Sequence, residues 1–179
     1  MPENRITVEQ LRSWKGARPL LAMTAYDYTI ARLLDEAGVE ILHVGDSLGM
    51  IVLGHEDTTE VTMADMLRAT ESVARARKHA LITADLPFAA YDSPEQAIEN
   101  ARQLMEAGAD AVKMEGGTEI LGQTRAVAAA GIPFQGHLGM LPQQIREVGV
   151  YKKKGKSRDE AERILSDARL LEAEGAFSL

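Results

Sequence analysis

The sequence predicts an α/β protein: a (β/α)8 TIM barrel whose C-terminal part is missing from this chain. Three observations carry that reading. Short apolar runs alternate with helical patterns, which makes βαβ units and a parallel sheet. Four of the helical patterns close on glycine, at EAGVE (36–40), EAGAD (106–110), AAGIP (129–133) and AEGAF (173–177). Ionisable residues then recur at the C-terminal ends of consecutive runs, the side of a parallel barrel where active sites sit.

The elements follow in order. A helix is expected at about 7–15, ahead of the first apolar run at 20–26. Asp27 is a plausible N-cap for a helix through 31–37, and Thr62 for a long one through 63–77. Ser93-Pro94-Glu95-Gln96 and Ser157-Arg158-Asp159-Glu160 read as capping boxes, with proline at the first helical position of the former. The remaining runs lie at 41–46, 81–86, 111–115, 133–137 and 176–179. They are nearly continuous rather than alternating, so they are expected to be strands buried on both faces. A dinucleotide fingerprint and a P-loop are both absent from the sequence, and the sixth run has no helix after it. A barrel of this kind usually needs roughly 250 residues, so the chain is expected to be one incomplete barrel domain over 1–179.

Composition narrows the function classes. A net charge of −7 and pI near 5.2 argue against a nucleic-acid or anionic-membrane partner. Zero cysteines exclude disulfides and thiolate metal sites and fit a reducing compartment. The opening MPENRITVEQ lacks the apolar core of a signal peptide, so a cytoplasmic protein is expected.

Asp46 ends the second run, Asp85 the third, Glu115 the fourth and His137 the fifth. One such residue is a turn aspartate; four in succession are a ring around a mouth. Lys113 lies two residues before Glu115, so strand alternation aims both at the same side. Three carboxylates at one mouth repel one another, and a cation relieves that. Oxygen ligands plus water suit Mg²⁺ better than zinc. A 2-oxo acid is the matching ligand, because its keto and carboxylate oxygens form a bidentate clamp and a metal there acidifies the neighbouring C–H. His43 sits within a strand and reads as a satisfied core histidine; His55 and His79 read as surface residues. YKKKGKSR (151–158) reads as a solvated loop or, alternatively, a lid whose lysines attract an anionic cosubstrate.

These residues sit in longer motifs. MTAYD (23–27), VGDSLGM (44–50), VLGHEDTTEVT (52–62), ADLPF (84–88), VKMEGG (112–117) and GHLGMLPQ (136–143) occur in the order and spacing that the chain shares with one family. From about Ile6 to Leu179 the sequence closely resembles ketopantoate (3-methyl-2-oxobutanoate) hydroxymethyltransferases. The resemblance implies a barrel of the phosphoenolpyruvate/pyruvate type assembled as a decamer. It implies transfer of a hydroxymethyl group from 5,10-methylenetetrahydrofolate to 3-methyl-2-oxobutanoate, giving 2-dehydropantoate through an Mg-stabilised enolate, the first step of pantothenate biosynthesis. Mg²⁺ would be held by Asp46 and Asp85, with Glu115 nearby, and the oxo acid would lie against Asp46, Ser47, Asp85, Lys113 and His137. The family's general-base glutamate falls beyond Leu179, so no catalytic base is expected within the chain. Two other readings stand beside this one: an Mg-dependent C–C lyase or mutase of the same barrel superfamily, and a non-catalytic ligand-binding or assembly subunit.

Overall fold

The computed structural model describes residues 5–179, so residues 1–4 of the expected domain lie outside the described residues. The order is α1 (Val8–Ser13), β1 (Ala22–Thr24), α2 (Tyr28–Glu36), β2 (Ile41–Val44), α3 (Met63–Ala76), β3 (Leu81–Asp85), α4 (Pro94–Glu106), β4 (Ala111–Glu115), α5 (Leu121–Ala129), β5 (Phe134–His137), α6 (Ile145–Val148) and α7 (Arg158–Ala173). The helix starts follow the predicted caps: Asp27, Thr62, Ser93 and Ser157 each accept from the backbone N–H three residues on. The reciprocal half of the two expected boxes differs. Gln96 accepts from Asp92 N at 2.8 Å and Glu160 from Lys156 N at 3.1 Å, one residue upstream of the cap in each case. Complete boxes form instead at Thr7–Gln10 and Thr62–Asp65.

All four glycines that close helical patterns have positive φ: +84° at Gly38, +108° at Gly108, +75° at Gly131 and +99° at Gly175. Gly108 also has no room for a side chain, since a Cβ there would lie 2.5 Å from Ala74 Cβ on α3. The α4–β4 turn therefore presses against the neighbouring helix at that point.

The five strands are all parallel and lie in the order β1-β2-β3-β4-β5. Right-handed crossovers that always step in the same direction put the helices that connect successive strands on one face. A doubly wound sheet reverses its order partway and covers both faces; this sheet does not reverse, and it curves as a barrel wall does. The sixth run joins β5 through a single parallel bridge, Gln135–Ser178, with Phe177 N donating to Phe134 O and Gly136 N to Ser178 O, both at 3.0 Å.

Strand parity sets where everything else goes. Leu42, Val44, Ile82, Ala84, Val112, Met114 and Phe134 face the helices and form the main core with Met66, Val73, Ala101, Leu104 and Val127. The opposite parity faces inward. At the N-terminal end it is apolar, where Ile41 and Leu81 pack on Leu11 of α1. Higher up it becomes polar, through His43, Thr83, Lys113 and Gln135, and then Asp85, Glu115 and His137. The expected burial on both faces holds for β3 and nearly so for β2 and β4, where only His43 and Lys113 are partly exposed; β5 is buried on its outward side alone, and the inward side turns polar toward the mouth. β1 departs further. Leu21 is 60% and Met23 49% exposed, because β1 pairs only with β2 among the described residues.

Asp35 fixes the entry to β3. Its carboxylate is buried and accepts from the backbone N–H groups of Lys78, His79 and Ala80 at 2.9, 3.0 and 2.8 Å. Burial alone would raise its pKa, but the three N–H donors outweigh that and hold it below the ordinary value. No helix of the described residues is long and apolar enough to cross a membrane.

Asp35→Asn turns one acceptor into a donor facing N–H groups, and is expected to destabilise the fold by about 2 kcal/mol at pH 7 in urea unfolding. A depressed folded-state pKa stabilises above the unfolded-state value near 3.8 and is lost as pH falls through the folded-state value. The gap between wild type and variant should therefore shrink below pH 4; a gap independent of pH would refute the account.

Candidate active site

VGDSLGM explains how the chain leaves β2. The strand ends at Val44, and Leu48 N bonds Gly45 O at 3.1 Å while Gly49 N bonds Asp46 O at 2.9 Å, so the chain turns at once into a π-helical turn at Gly49–Leu53. Gly45 leaves room for its neighbours, since a Cβ there would lie 2.9 Å from Ser47 Oγ and 3.3 Å from the His43 ring. The sharp turn aims Asp46 and Ser47 across the mouth of the barrel.

A cavity of 280 Å³ opens at that mouth, and Asp46, Ser47, Asp85, Lys113, Glu115 and His137 all line it. Six residues expected from the sequence thus face one space. A larger cavity of 540 Å³ at the other end, among Leu11, Leu20, Ile41, Phe177 and Leu179, is mostly apolar and gathers no comparable set of acids and bases.

Asp85 is the hub. Its Oδ2 accepts from Asp46 N at 3.1 Å. Its Oδ1 lies 2.7 Å from Lys113 Nζ and 3.3 Å from His43 Nε2, close charge contacts rather than aligned hydrogen bonds. Burial would raise the Asp85 pKa, but Lys113 and His43 outweigh it and keep the carboxylate ionised well below the ordinary range. Lys113 is itself buried; burial favours the neutral amine, yet Asp85, Glu115 and Asp46 together raise its pKa. The lysine's main partner is therefore Asp85, across the β3–β4 register, and not Glu115, which stands 3.9 Å away.

Asp46 sits differently. Burial and the nearby Asp85 charge push its pKa up to about 7, against a hydrogen bond from Gln143 Nε2 at 2.8 Å. The pair thus divides into an ionised Asp85 and an Asp46 that holds its proton readily. Glu115 Oε1 lies 2.9 Å from His137 Nδ1, which directs Nε2 of that imidazole elsewhere. Ser47 Oγ and Tyr26 OH share a hydrogen bond of 2.9 Å.

Sequence reasoning missed four contributors. His43, read as a core histidine, lines the cavity; its Nδ1 bonds Thr83 Oγ1 at 2.8 Å and its Nε2 faces Asp85. Its parity was the available signal, since it lies on the opposite side of β2 from Leu42 and Val44, which face the helices. Tyr26 reaches Ser47 from the end of the first run. Gln143 and Tyr91 carried no periodic signal, although Gln143 closes the quoted GHLGMLPQ motif. The YKKKGKSR run has no regular structure before α7 and is mostly exposed, with Tyr151 at the cavity and Lys152, Lys153, Lys154 and Lys156 unpaired with any carboxylate within 4.0 Å among the described residues.

A hard divalent cation fits this donor set in part. Asp85 Oδ1 is a buried carboxylate oxygen without an aligned hydrogen-bond donor, and Asp46 keeps one oxygen free of protein hydrogen bonds. Asp46, Asp85 and Glu115 share the cavity, but among the described residues no three acidic or histidine side chains close into a cage. Two carboxylates completed by water are the pattern Mg²⁺ accepts.

A family model described as ketopantoate hydroxymethyltransferase matches residues 5–179. The chain belongs to the ketopantoate hydroxymethyltransferase family. A 3-methyl-2-oxobutanoate hydroxymethyltransferase of Aeropyrum pernix is 48% identical over the whole chain, which covers 66% of that relative. One of Syntrophus aciditrophicus is 50% identical over 98% of this chain and 65% of its own length. The chain thus spans about two thirds of the length of these family members. Among solved structures, phosphonopyruvate hydrolase crystallised with oxalate and Mg++ superposes with a TM-score of 0.72 at 18% identity, over 96% of this chain and 61% of that one. Phosphoenolpyruvate phosphomutase of Streptomyces platensis subsp. rosaceus gives 0.70 at 18%, over 96% and 62%. These likenesses establish the fold as that of the phosphoenolpyruvate mutase type of TIM barrel.

Removing the Lys113 charge should leave the Asp85 carboxylate buried and uncompensated. Lys113→Met and Asp85→Asn are each expected to lower stability by about 3–5 kcal/mol in denaturant unfolding, and the double variant by clearly less than their sum. Additive losses would show that the two groups do not act as a pair.

Proposed function

We propose that this chain forms the metal- and oxo-acid-binding part of a hydroxymethyltransferase that acts on 3-methyl-2-oxobutanoate. The carrying observation is the single cavity in which Asp46, Asp85 and Glu115 face Lys113, Ser47 and His137, in a chain of this family. The reaction joins C3 of the oxo acid to the methylene carbon of 5,10-methylenetetrahydrofolate. A C3 proton leaves, water supplies the hydroxyl oxygen, and 2-dehydropantoate and tetrahydrofolate result.

Each residue has a part in that chemistry. Asp46 and Asp85 would hold Mg²⁺, with Glu115 beside it; when bound, the ion supplies positive charge that stabilises the enolate and so acidifies C3. Lys113 offers an ammonium group to the substrate carboxylate while keeping Asp85 ionised. Ser47, oriented by Tyr26, donates to a substrate oxygen. His137, with Nδ1 engaged by Glu115, presents Nε2 to the same ligand. By the family resemblance, a glutamate outside these six residues would remove the C3 proton. The reading carries with it a cytoplasmic homo-oligomer, a decamer by resemblance, with the 2-oxo acid and reduced folate as its small-molecule partners.

Calorimetric titration of 3-methyl-2-oxobutanoate is expected to show binding with Mg²⁺ and at least tenfold weaker binding with EDTA. Asp46→Ala and Asp85→Ala should both abolish the Mg²⁺-dependent part. Equal binding in Mg²⁺ and EDTA by folded protein would reject the metal-chelated site.

The lysine run supplies a separate check on the cosubstrate. Replacing Lys152, Lys153 and Lys154 together by Gln should weaken binding of 5,10-methylenetetrahydrofolate roughly threefold to tenfold at low salt, as expected for exposed charges, and leave oxo-acid binding unaltered. Unchanged folate affinity would return the run to a solvated loop.

A further inference from the structure

Gln143 follows β5 and the turn after it, and it is buried. Its amide is engaged on every side. Nε2 donates to Asp46 Oδ2 at 2.8 Å and to Leu86 O at 2.9 Å, while Oε1 accepts from Tyr91 OH at 2.5 Å. Its main-chain N–H donates to Glu115 Oε2 at 3.1 Å. Leu86 O can only accept, so the nitrogen must face it and the amide has one orientation. Tyr91 is in turn fixed from β4, where Glu115 N donates to its hydroxyl at 3.3 Å.

The three carboxylates share a pattern. Each has one oxygen tied by an uncharged N–H: Asp46 Oδ2 by the Gln143 side chain, Glu115 Oε2 by the Gln143 backbone, Asp85 Oδ2 by the Asp46 backbone. The other oxygen of each is left free of these clamps. A neutral donor orients a carboxylate without cancelling its charge. A lysine or arginine at the same place would hold it equally well but would occupy the electrostatic role of a cation. Gln143 alone among these donors grips two carboxylates at once, joining the end of β2 to the end of β4.

We propose that Gln143 is a positioning residue that aims Asp46 and Glu115 at a divalent cation in the cavity, with Tyr91 locking its amide. The inference rests on the metal-site reading above and deepens it. Its role is separable from packing, because an isosteric apolar replacement fills the same space and keeps the backbone N–H to Glu115 while losing the grip on Asp46.

The test is a titration of Mn²⁺ alone into wild type, Gln143→Met and Tyr91→Phe, following free Mn²⁺ by electron paramagnetic resonance, with thermal unfolding of each protein alongside. Wild type should bind Mn²⁺, Gln143→Met about 10- to 100-fold more weakly at an equal folded fraction, and Tyr91→Phe with a smaller loss. Equal Mn²⁺ affinity in wild type and folded Gln143→Met would overturn the positioning role and leave the metal site standing. Wild type that binds no Mn²⁺ would overturn the metal site and the role together. If Gln143→Met does not fold, Tyr91→Phe decides: wild-type affinity there overturns the proposal.

Discussion

Asp85 is a carboxylate taken out of water at the top of a parallel barrel wall, and much of the site is arranged so that it can stay charged. An isolated buried carboxylate would take up a proton. Here one oxygen is held by the Asp46 N–H and the other lies between Lys113 and His43, so three strands contribute to one ionised group. The register of β3 against β4 sets Asp85 opposite Lys113. A slip of one residue would turn Lys113 into the apolar layer beneath the helices, where its charge has no partner. The outward core and the inward site are therefore two consequences of the same strand pairing.

The charge is spread unevenly, and that unevenness is chemically useful. Lys113 holds Asp85 ionised, while Asp46 is left with neutral donors and a raised pKa near 7. Such a mouth combines strong negative potential with one fixed ammonium. On the reading proposed above, it suits a ligand that is itself mixed: an anionic oxo acid together with the cation it chelates. Gln143 and Tyr91 complete the arrangement by orienting acids without neutralising them.

Family membership and geometry bear on different questions. The match over residues 5–179 fixes which family the chain belongs to. The barrel neighbours, at 18% identity, speak only to architecture. The geometry adds what neither contains: which partner each acid has, that Lys113 pairs with Asp85 before Glu115, and that His43 belongs to the cavity wall.

The sequence by itself determined the local and the periodic. Helix caps at Asp27, Thr62, Ser93 and Ser157, glycines at positive φ, the alternation of strand and helix, and the strand-end positions of Asp46, Asp85, Glu115 and His137 all depend on residues a few positions apart. Those interactions are written in short windows of chain. Tertiary structure decided the rest. The apolar runs look continuous, yet one parity faces helices and the other a polar interior, which only the curvature of the sheet reveals. β1 reads as a buried strand but lies exposed, since burial depends on neighbours and not on its own residues. Gln143 meets Asp46 across 97 positions, and no periodicity encodes a contact between two loops brought together by the ends of different strands. His43 passed for a core residue because a strand histidine looks the same whether its ring meets apolar packing or, as here, the charge of Asp85.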